Sequence, residues 1–306
     1  MPSFSIEKNF NKAASYAKKG DLEKASDLFS EILIKFPKNL RAKNGLINTH
    51  EIMISNYKQK LLMFYKQNKH SEIIKSGTKL TEKFTHSYFI WDILGASFLN
   101  QGKFDDAIWA YEKLILLNEN YAEAYINLGQ ALYAINRYDD AIKNYKKAIS
   151  YKPKHILVHY YLGMSLEAVN NTEEAIHSYK KTIEHNPNHA KTFFKIADIN
   201  YMHKDLDEAI DNYKKAILIN PNYYDALNNL GNTLMSKGLI NEAIINYNKA
   251  IIIKPTSKTY NNLGVAFKIL GNHIDAIKCY NHSISLEPKN AEAFYNRGII
   301  YQKIHQ

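Results

Sequence analysis

Apolar and small residues recur along the chain with the spacing of an amphipathic helix. In the first half of residues 122–155, four such residues fall at i, i+3, i+4 and i+7, on one helical face: Tyr125, Leu128, Gly129 and Leu132. The pattern pauses at residues 136–137 and then resumes. Pro153 ends it, because proline has no amide donor and clashes with the preceding turn. Residues 122–155 therefore predict two helices joined by a short turn.

The same pattern returns with a period of 34 residues. It predicts six regular units over residues 88–290 and a half unit, a single helix, over residues 291–306. One position of each first helix carries a glycine in nearly every unit: Gly95, Gly129, Gly163, Gly231, Gly264 and Gly298. One position of each second helix carries an alanine: Ala107, Ala141, Ala175, Ala209, Ala243 and Ala276. A hairpin of this size cannot bury its apolar stripe alone, so the units are expected to stack on one another.

The N-terminal part of the chain is less regular. Residues 1–39 predict one further hairpin, with its turn at Gly20. Residues 40–87 predict a helix that does not turn back on schedule and runs on to about residue 67. A second, weaker helix follows, with Gly77 where an aromatic residue is expected.

The repeat resembles the tetratricopeptide repeat, whose pattern is W-x2-L-G-x2-Y, then A-x3-F, then P. The segment from Trp91 through Leu94 and Gly95 to Phe98 matches the first part, and Ala141, Tyr145 and Pro153 match the rest. The resemblance implies an all-α fold, an α-solenoid of helical hairpins wound as a right-handed superhelix.

Composition narrows the class of protein. With 12 glycines and 7 prolines in 306 residues, a turn-rich sandwich or barrel is disfavoured. The single cysteine, Cys279, excludes an internal disulfide, and we expect it to be a buried small apolar residue. The first twenty residues lack a signal-like apolar core, and no apolar run is long enough to span a bilayer. We therefore expect a cytoplasmic protein without membrane insertion.

The net charge of +10 raises the question of nucleic-acid binding. Only three basic residues are arginines: Arg41, Arg137 and Arg297. Arginine is the favoured residue for reading phosphates and base edges, and lysines without clustered arginine usually form a solvated face. Nucleic acid is therefore disfavoured as a partner.

Catalytic and metal-binding motifs are missing from the sequence. It contains no HExxH, GxGxxG or GxSxG pattern. Two histidine pairs have i, i+4 spacing, His155 with His159 and His185 with His189, but each straddles a turn between units and lacks a further ligand. We expect no catalytic residue, no metal and no cofactor.

A polar and aromatic stripe lies beside the packing stripe of each first helix. In tetratricopeptide arrays this stripe lines the concave groove, as the resemblance implies. Asparagine can donate and accept hydrogen bonds at once, and tyrosine adds rigid contact area, so both suit an extended peptide. Asparagine at these positions is equally explained by local hydrogen bonding. The predicted binding residues are Asn127, Gln130, Tyr133, Tyr160, Tyr161, Lys195, Asn228, Asn229, Asn232, Asn261, Asn262 and Asn296.

Two functions follow from the resemblance. The first is a non-enzymatic scaffold that binds peptide or protein segments in the concave groove. The second is a substrate-recognition array of, or partner to, a transferase, because the segments LNNLGNTL (227–234) and YNNLG (260–264) resemble the repeats of O-linked N-acetylglucosamine transferases. Some bacterial repeat proteins of this kind continue into glycosyltransferase or sulfotransferase domains, and no such domain occurs here. The last helix, residues 291–306, is not especially polar, which predicts either that the chain is a fragment of a longer protein or that it self-associates there.

Overall fold

Seventeen α-helices and no strand make up the regular structure of residues 5–304, the part of the chain that this computed structural model describes. The prediction of an all-α fold of stacked helical hairpins is confirmed. Residues 1–4 and 305–306, at the ends of the first and last predicted segments, lie outside the described range. The helices are α1 (Ile6–Lys18), α2 (Leu22–Lys35), α3 (Leu40–Lys66), α4 (His70–Lys83), α5 (Tyr88–Asn100), α6 (Phe104–Leu117), α7 (Ala122–Ala134), α8 (Tyr138–Tyr151), α9 (Ile156–Ala168), α10 (Thr172–His185), α11 (Ala190–Met202), α12 (Leu206–Ile219), α13 (Tyr224–Ser236), α14 (Ile240–Ile253), α15 (Ser257–Ile269), α16 (His273–Leu286) and α17 (Ala291–Ile304).

The helices form two compact units. The first, Met1–Tyr151, contains α1–α8, and the second, Lys152–Gln306, contains α9–α17. From α5 to α16, first helices of 13 residues alternate with second helices of 14 residues. Each first helix packs on the second helix that follows it.

A glycine and a tyrosine hold the two helices of a regular hairpin together. A Cβ atom added at Gly129 would lie 2.5 Å from Cε1 of Tyr145, closer than carbon atoms pack in proteins. The tyrosine ring therefore lies directly against the glycine backbone, and only glycine fits there without a shift. The same contact occurs for Gly95 with Tyr111, Gly163 with Tyr179, Gly231 with Tyr247, and Gly264 with Tyr280.

The turn inside each hairpin has a fixed backbone conformation. The residue two positions after the end of each first helix has a positive φ, which favours glycine and, next, asparagine. Glycine stands there in four hairpins and asparagine in two of the regular ones, and Lys204 (φ 64°) is the exception. The two helices of each hairpin are therefore held together by local features: the turn between them and the small residue that lies opposite the tyrosine ring.

The long helix α3 sets the first unit apart. It runs for 27 residues, and α4 and α5 pack along its later part. Met53 and Leu61 of α3 share a buried cluster with Ile73 of α4 and Ile93 of α5. Gly77 of α4 lies against Leu94 of α5 rather than against an aromatic ring, since a Cβ there would be 3.3 Å from Leu94 Cδ1. The far end of α3 therefore reaches the face of α5 and adds side chains that the regular repeat lacks.

Candidate functional site

The twelve predicted binding residues all lie on the first helices of hairpins. Asn127, Gln130 and Tyr133 belong to α7 in the first unit, and the others lie on first helices of the second unit. Nine of the twelve are half-buried, so part of each side chain stays accessible to a ligand. These nine are Asn127, Gln130, Tyr133, Tyr160, Tyr161, Lys195, Asn229, Asn232 and Asn262.

The prediction is corrected for Asn228, Asn261 and Asn296, which are at most 7% exposed. The Asn228 Oδ1 atom accepts a hydrogen bond from Thr259 Oγ1 at 3.0 Å, and Asn296 Oδ1 accepts one from Lys268 Nζ at 3.0 Å. Asn296 Nδ2 donates to Asn261 Oδ1 at 3.4 Å. Buried polar groups are normally satisfied in this way. These three amides tie adjacent repeats together and do not face a ligand.

In the second unit, polar side chains connect each hairpin to the next through a shared acceptor. Each acceptor lies on a first helix and receives two hydrogen bonds, one from the tyrosine of its own hairpin and one from the following first helix. The Glu167 carboxylate accepts from Tyr179 Oη at 2.7 Å and from Lys195 Nζ at 3.0 Å. The Asp198 carboxylate accepts from Tyr213 Oη at 2.5 Å and from Asn229 Nδ2 at 3.1 Å. The Asn232 amide oxygen accepts from Tyr247 Oη at 2.8 Å and from Asn262 Nδ2 at 2.9 Å.

Burial shifts the pKa of an acceptor and of its donor in this row. It raises the pKa of the Asp198 carboxyl, while the hydrogen bonds from Tyr213 and Asn229 to the ionised form oppose the shift. Burial also raises the pKa of the Tyr213 hydroxyl, and the negative charge of Asp198 adds to that shift. Tyr213 therefore keeps its proton at neutral pH and remains the donor.

Two of these acceptors, Glu167 and Asp198, were not among the predicted residues. The repeat spacing could have identified both, because they occupy the same repeat positions as predicted residues. Glu167 lies one period after Tyr133, and Asp198 lies two periods after Gln130. A search by position in the repeat, rather than by asparagine and tyrosine content, finds both.

On α9 the predicted tyrosines form an aromatic cluster. The Tyr160 ring centroid lies 4.9 Å from that of His189, edge to face, and 5.8 Å from that of Tyr179. Tyr161 lies beside it at 5.9 Å, and burial raises the pKa of the Tyr161 hydroxyl. Interlocked rings of this kind lose little side-chain freedom on binding, so they suit rigid apolar contact.

Reactive or metal-ligating groups are sparse in the described part of the chain. Residues 5–304 hold no cluster of three or more histidine, cysteine or acidic side chains suited to a metal ion. The ring of His159 donates to the carbonyl of Pro153 at 2.8 Å and so stabilises the preceding turn. Cys279 is buried, as its position beside Tyr280 predicts, and burial raises the pKa of its thiol to about 11. None of the described helices has the length and apolar character to cross a bilayer.

Comparisons with known proteins give one consistent result. Family models described as tetratricopeptide repeats match residues 94–155, 156–189, 203–238, 224–257 and 266–304, which together make up more than half of the chain. No curated protein sequence matches it significantly.

Several solved structures share the fold. A crystal structure of MamA is 29% identical over 54% of this chain and 97% of its own, with a TM-score of 0.51. The protein YrrB, described as a TPR protein with an unusual peptide-binding site, is 20% identical over 62% of this chain and 98% of its own, with a TM-score of 0.55. Part of a TPR protein from Cytophaga hutchinsonii is 18% identical over 78% of this chain and 98% of its own, with a TM-score of 0.66.

Proposed function

Because the chain belongs to the tetratricopeptide repeat family, we propose that it is a non-enzymatic scaffold that binds an extended peptide or protein segment through its first helices. Tetratricopeptide arrays are protein-interaction modules, and this chain is such a module. In the first unit, the binding residues that we propose are Asn127, Gln130 and Tyr133. In the second unit, they are the other six half-buried predicted residues and the acceptors Glu167 and Asp198. The alternative function, a recognition array of or partner to a transferase, has no support from these comparisons.

The observation that carries the proposal is the row of half-buried polar side chains in the second unit. Lys195, Asn229 and Asn262 occupy the same position of three consecutive first helices, and each is held by an acceptor of the preceding hairpin. Side chains that are already ordered lose less conformational entropy when a ligand arrives. The row is therefore preorganised for a ligand that runs across several repeats.

The chemistry of this row suits a peptide backbone. The Nδ2 group of Asn262 uses one of its two hydrogens in the bond to Asn232, and its Oδ1 atom accepts no hydrogen bond from the described residues. One donor and one acceptor therefore remain for the C=O and N–H groups of an extended segment. Because every residue of a peptide offers these groups, such contacts give affinity without demanding one sequence, and neighbouring tyrosines add specificity.

The test is to select ligands from a random peptide library displayed on phage and to measure their affinity by calorimetry. We expect selected peptides to bind the wild-type protein and to lose about tenfold or more in affinity to the double variant Asn229→Ala, Asn262→Ala, since each lost hydrogen bond is worth about 0.5–1.5 kcal/mol. The matched control is Asn241→Ala, Asn248→Ala, because both of these residues are exposed on the second helix α14.

Circular dichroism at 222 nm establishes that both double variants remain helical. A library that yields no ligand, or ligands whose affinity for the Asn229→Ala, Asn262→Ala variant equals that for the wild type, contradicts the proposal.

Self-association through α17 also stays a prediction. This helix leaves Phe294, Tyr295 and Tyr301 exposed, at 43%, 70% and 42%. Exposed apolar side chains grouped on one helix favour association. Light scattering over a hundredfold range of protein concentration is expected to show a rising mass, and a constant monomer mass across that range contradicts it.

A further inference from the structure

A pocket of about 430 Å³ opens on the first unit, where the end of the long helix α3 meets α5, α6 and α7. Its walls include Tyr65 of α3, Leu99 of α5, Phe104 of α6, and Asn127 and Gln130 of α7. A smaller pocket of about 280 Å³ adjoins it, shares Tyr65 and Asn127, and adds Phe89 and Asp92 of α5. Tyr65 comes from outside the regular repeat, so it adds a wall that the repeat pattern alone does not provide.

The side chain of Tyr111 forms part of the wall of the larger pocket. It is fully buried, burial raises the pKa of its hydroxyl, and the nearby amide of Asn127 opposes that shift. In the second unit, Tyr213 and Tyr247 each donate to the residue fifteen positions earlier in the chain, Asp198 and Asn232. The corresponding residue for Tyr111 is Ala96, whose methyl group cannot accept a hydrogen bond. The small side chain of Ala96 leaves space open in the pocket, while the Tyr111 hydroxyl beside it stays buried.

The adjoining pocket carries a negative charge. Asp92 is half-buried and accepts a hydrogen bond from Tyr121 Oη at 3.3 Å, and no lysine or arginine of residues 5–304 forms an ion pair with it. Burial raises the pKa of the Asp92 carboxyl, and the nearby carboxylate of Glu123 adds to the shift. In a chain of net charge +10, this half-buried carboxylate without a cation is a local site for a cationic group.

The remaining walls define what kind of cation fits. Tyr65, Phe89 and Phe104 present aromatic rings, and Lys58 already lies over the Phe89 ring, with its Nζ atom 5.3 Å from the centroid. This wall therefore accommodates a positive charge. The side-chain oxygens of Asn127 and Gln130 supply acceptors around the same space. A planar group with several N–H donors matches this set better than a compact ammonium, because it can donate in several directions while stacking on a ring.

We propose that this double pocket receives the guanidinium group of an arginine side chain from a segment bound to the first unit. The Asp92 carboxylate pairs with the charge, the side-chain oxygens of Asn127 and Gln130 accept from the remaining N–H groups, and Tyr65 packs on the plane. This assignment rests on the proposed function, since it names the side chain that the scaffold selects in its partner.

The test uses arrays of nonapeptides with eight randomised positions and one fixed central residue: arginine, lysine, citrulline or leucine. Citrulline has nearly the shape of arginine without its charge. We expect the wild-type protein to bind the arginine set about tenfold more strongly than the citrulline set, and more strongly than the lysine set. Asp92→Asn is expected to abolish the preference over citrulline, because the charge that pairs with the guanidinium is lost.

A control variant matches this change elsewhere in the chain. Asp139→Asn removes one negative charge from an exposed position of α8. It is expected to keep the arginine preference, and circular dichroism verifies the helix content of both variants.

The outcomes separate the two proposals. If no peptide set binds the wild-type protein, the scaffold proposal fails and the arginine pocket fails with it. If peptides bind but show no preference for arginine over citrulline or lysine, or keep that preference in Asp92→Asn, the pocket assignment is wrong while the scaffold proposal stands.

Discussion

The buried tyrosines of the second helices allow the contribution of one hydroxyl group to the free energy of unfolding to be compared between hairpins. Each ring lies in the same position of its hairpin, and a change to phenylalanine keeps the ring and removes one oxygen. The partners of that oxygen differ. Tyr213 donates to the Asp198 carboxylate at 2.5 Å and Tyr247 to the Asn232 amide at 2.8 Å, whereas the hydroxyl of Tyr280 is buried without a partner.

The expected changes in the free energy of unfolding follow from those partners. Tyr213→Phe removes a hydrogen bond to a charged acceptor and should cost about 1.5–3 kcal/mol. Tyr247→Phe removes a neutral one and should cost about 0.5–1.5 kcal/mol. Tyr280→Phe removes a hydroxyl that lost its hydrogen bonds to water on folding and gained none in the protein. This change should leave stability unchanged or raise it by about 1 kcal/mol. The hairpins of Tyr247 and Tyr280 are adjacent in the second unit, so these two variants form the closest comparison.

Urea unfolding followed by circular dichroism measures the global effect. Repeat arrays can unfold in parts, so hydrogen exchange of the amides of α13–α16 provides the local value. The order of stability Tyr280→Phe, then Tyr247→Phe, then Tyr213→Phe is the expected result. If Tyr280→Phe destabilises α15 and α16 as much as Tyr247→Phe destabilises α13 and α14, the reasoning from hydroxyl partners is refuted.

Two further predictions concern packing and reactivity. Gly129→Ala should destabilise the fold by about 1 kcal/mol, since overpacking against Tyr145 costs about 1–3 kcal/mol and improved helix propensity returns about 1. Gly298→Ala, where a Cβ meets nothing within 4 Å, should instead stabilise by about 0.5–1 kcal/mol, and thermal unfolding that ranks the two the other way contradicts this. With its pKa raised to about 11, Cys279 should react with a disulfide reagent at pH 8 on the order of a hundredfold more slowly in the folded protein than in urea, and equal rates contradict burial of the thiol.

The sequence predicts the regular hairpins well because the residues that determine each hairpin lie close together in the chain. The glycine of the first helix, the tyrosine of the second and the small or amide residue in the turn lie within one period, and Gly129 with Tyr145 is a clear instance. The period says nothing about contacts between residues far apart in the chain. The position of Tyr65 next to Asn127 depends on where the long helix α3 ends against α5, which repeat spacing does not encode.

The burial of Asn228, Asn261 and Asn296 was not predicted, for a geometric reason. Successive residues of a helix differ by about 100° in direction, so Asn228 and Asn229 look equivalent by composition although one is buried and the other half-buried. Which of them faces the neighbouring repeat depends on how adjacent hairpins stack. Asn296 shows a second effect, because it occupies the position of Asn229 and Asn262 but is buried beside Lys268.

One position of the repeat differs between hairpins, and the difference bears both on stability and on the proposed binding. Fifteen residues before the buried tyrosine, Asp198 and Asn232 accept its hydroxyl and so join the face into a hydrogen-bonded row. At the same position Ala96 and Val265 provide no acceptor, so Tyr111 and Tyr280 lack the hydrogen bond that Tyr213 and Tyr247 make there. Beside Ala96, a side chain from outside the repeat, Tyr65, lines the pocket. On the two proposals above, the first unit selects one side chain of the partner at this point, and the second unit contacts the partner's backbone through a row of amides.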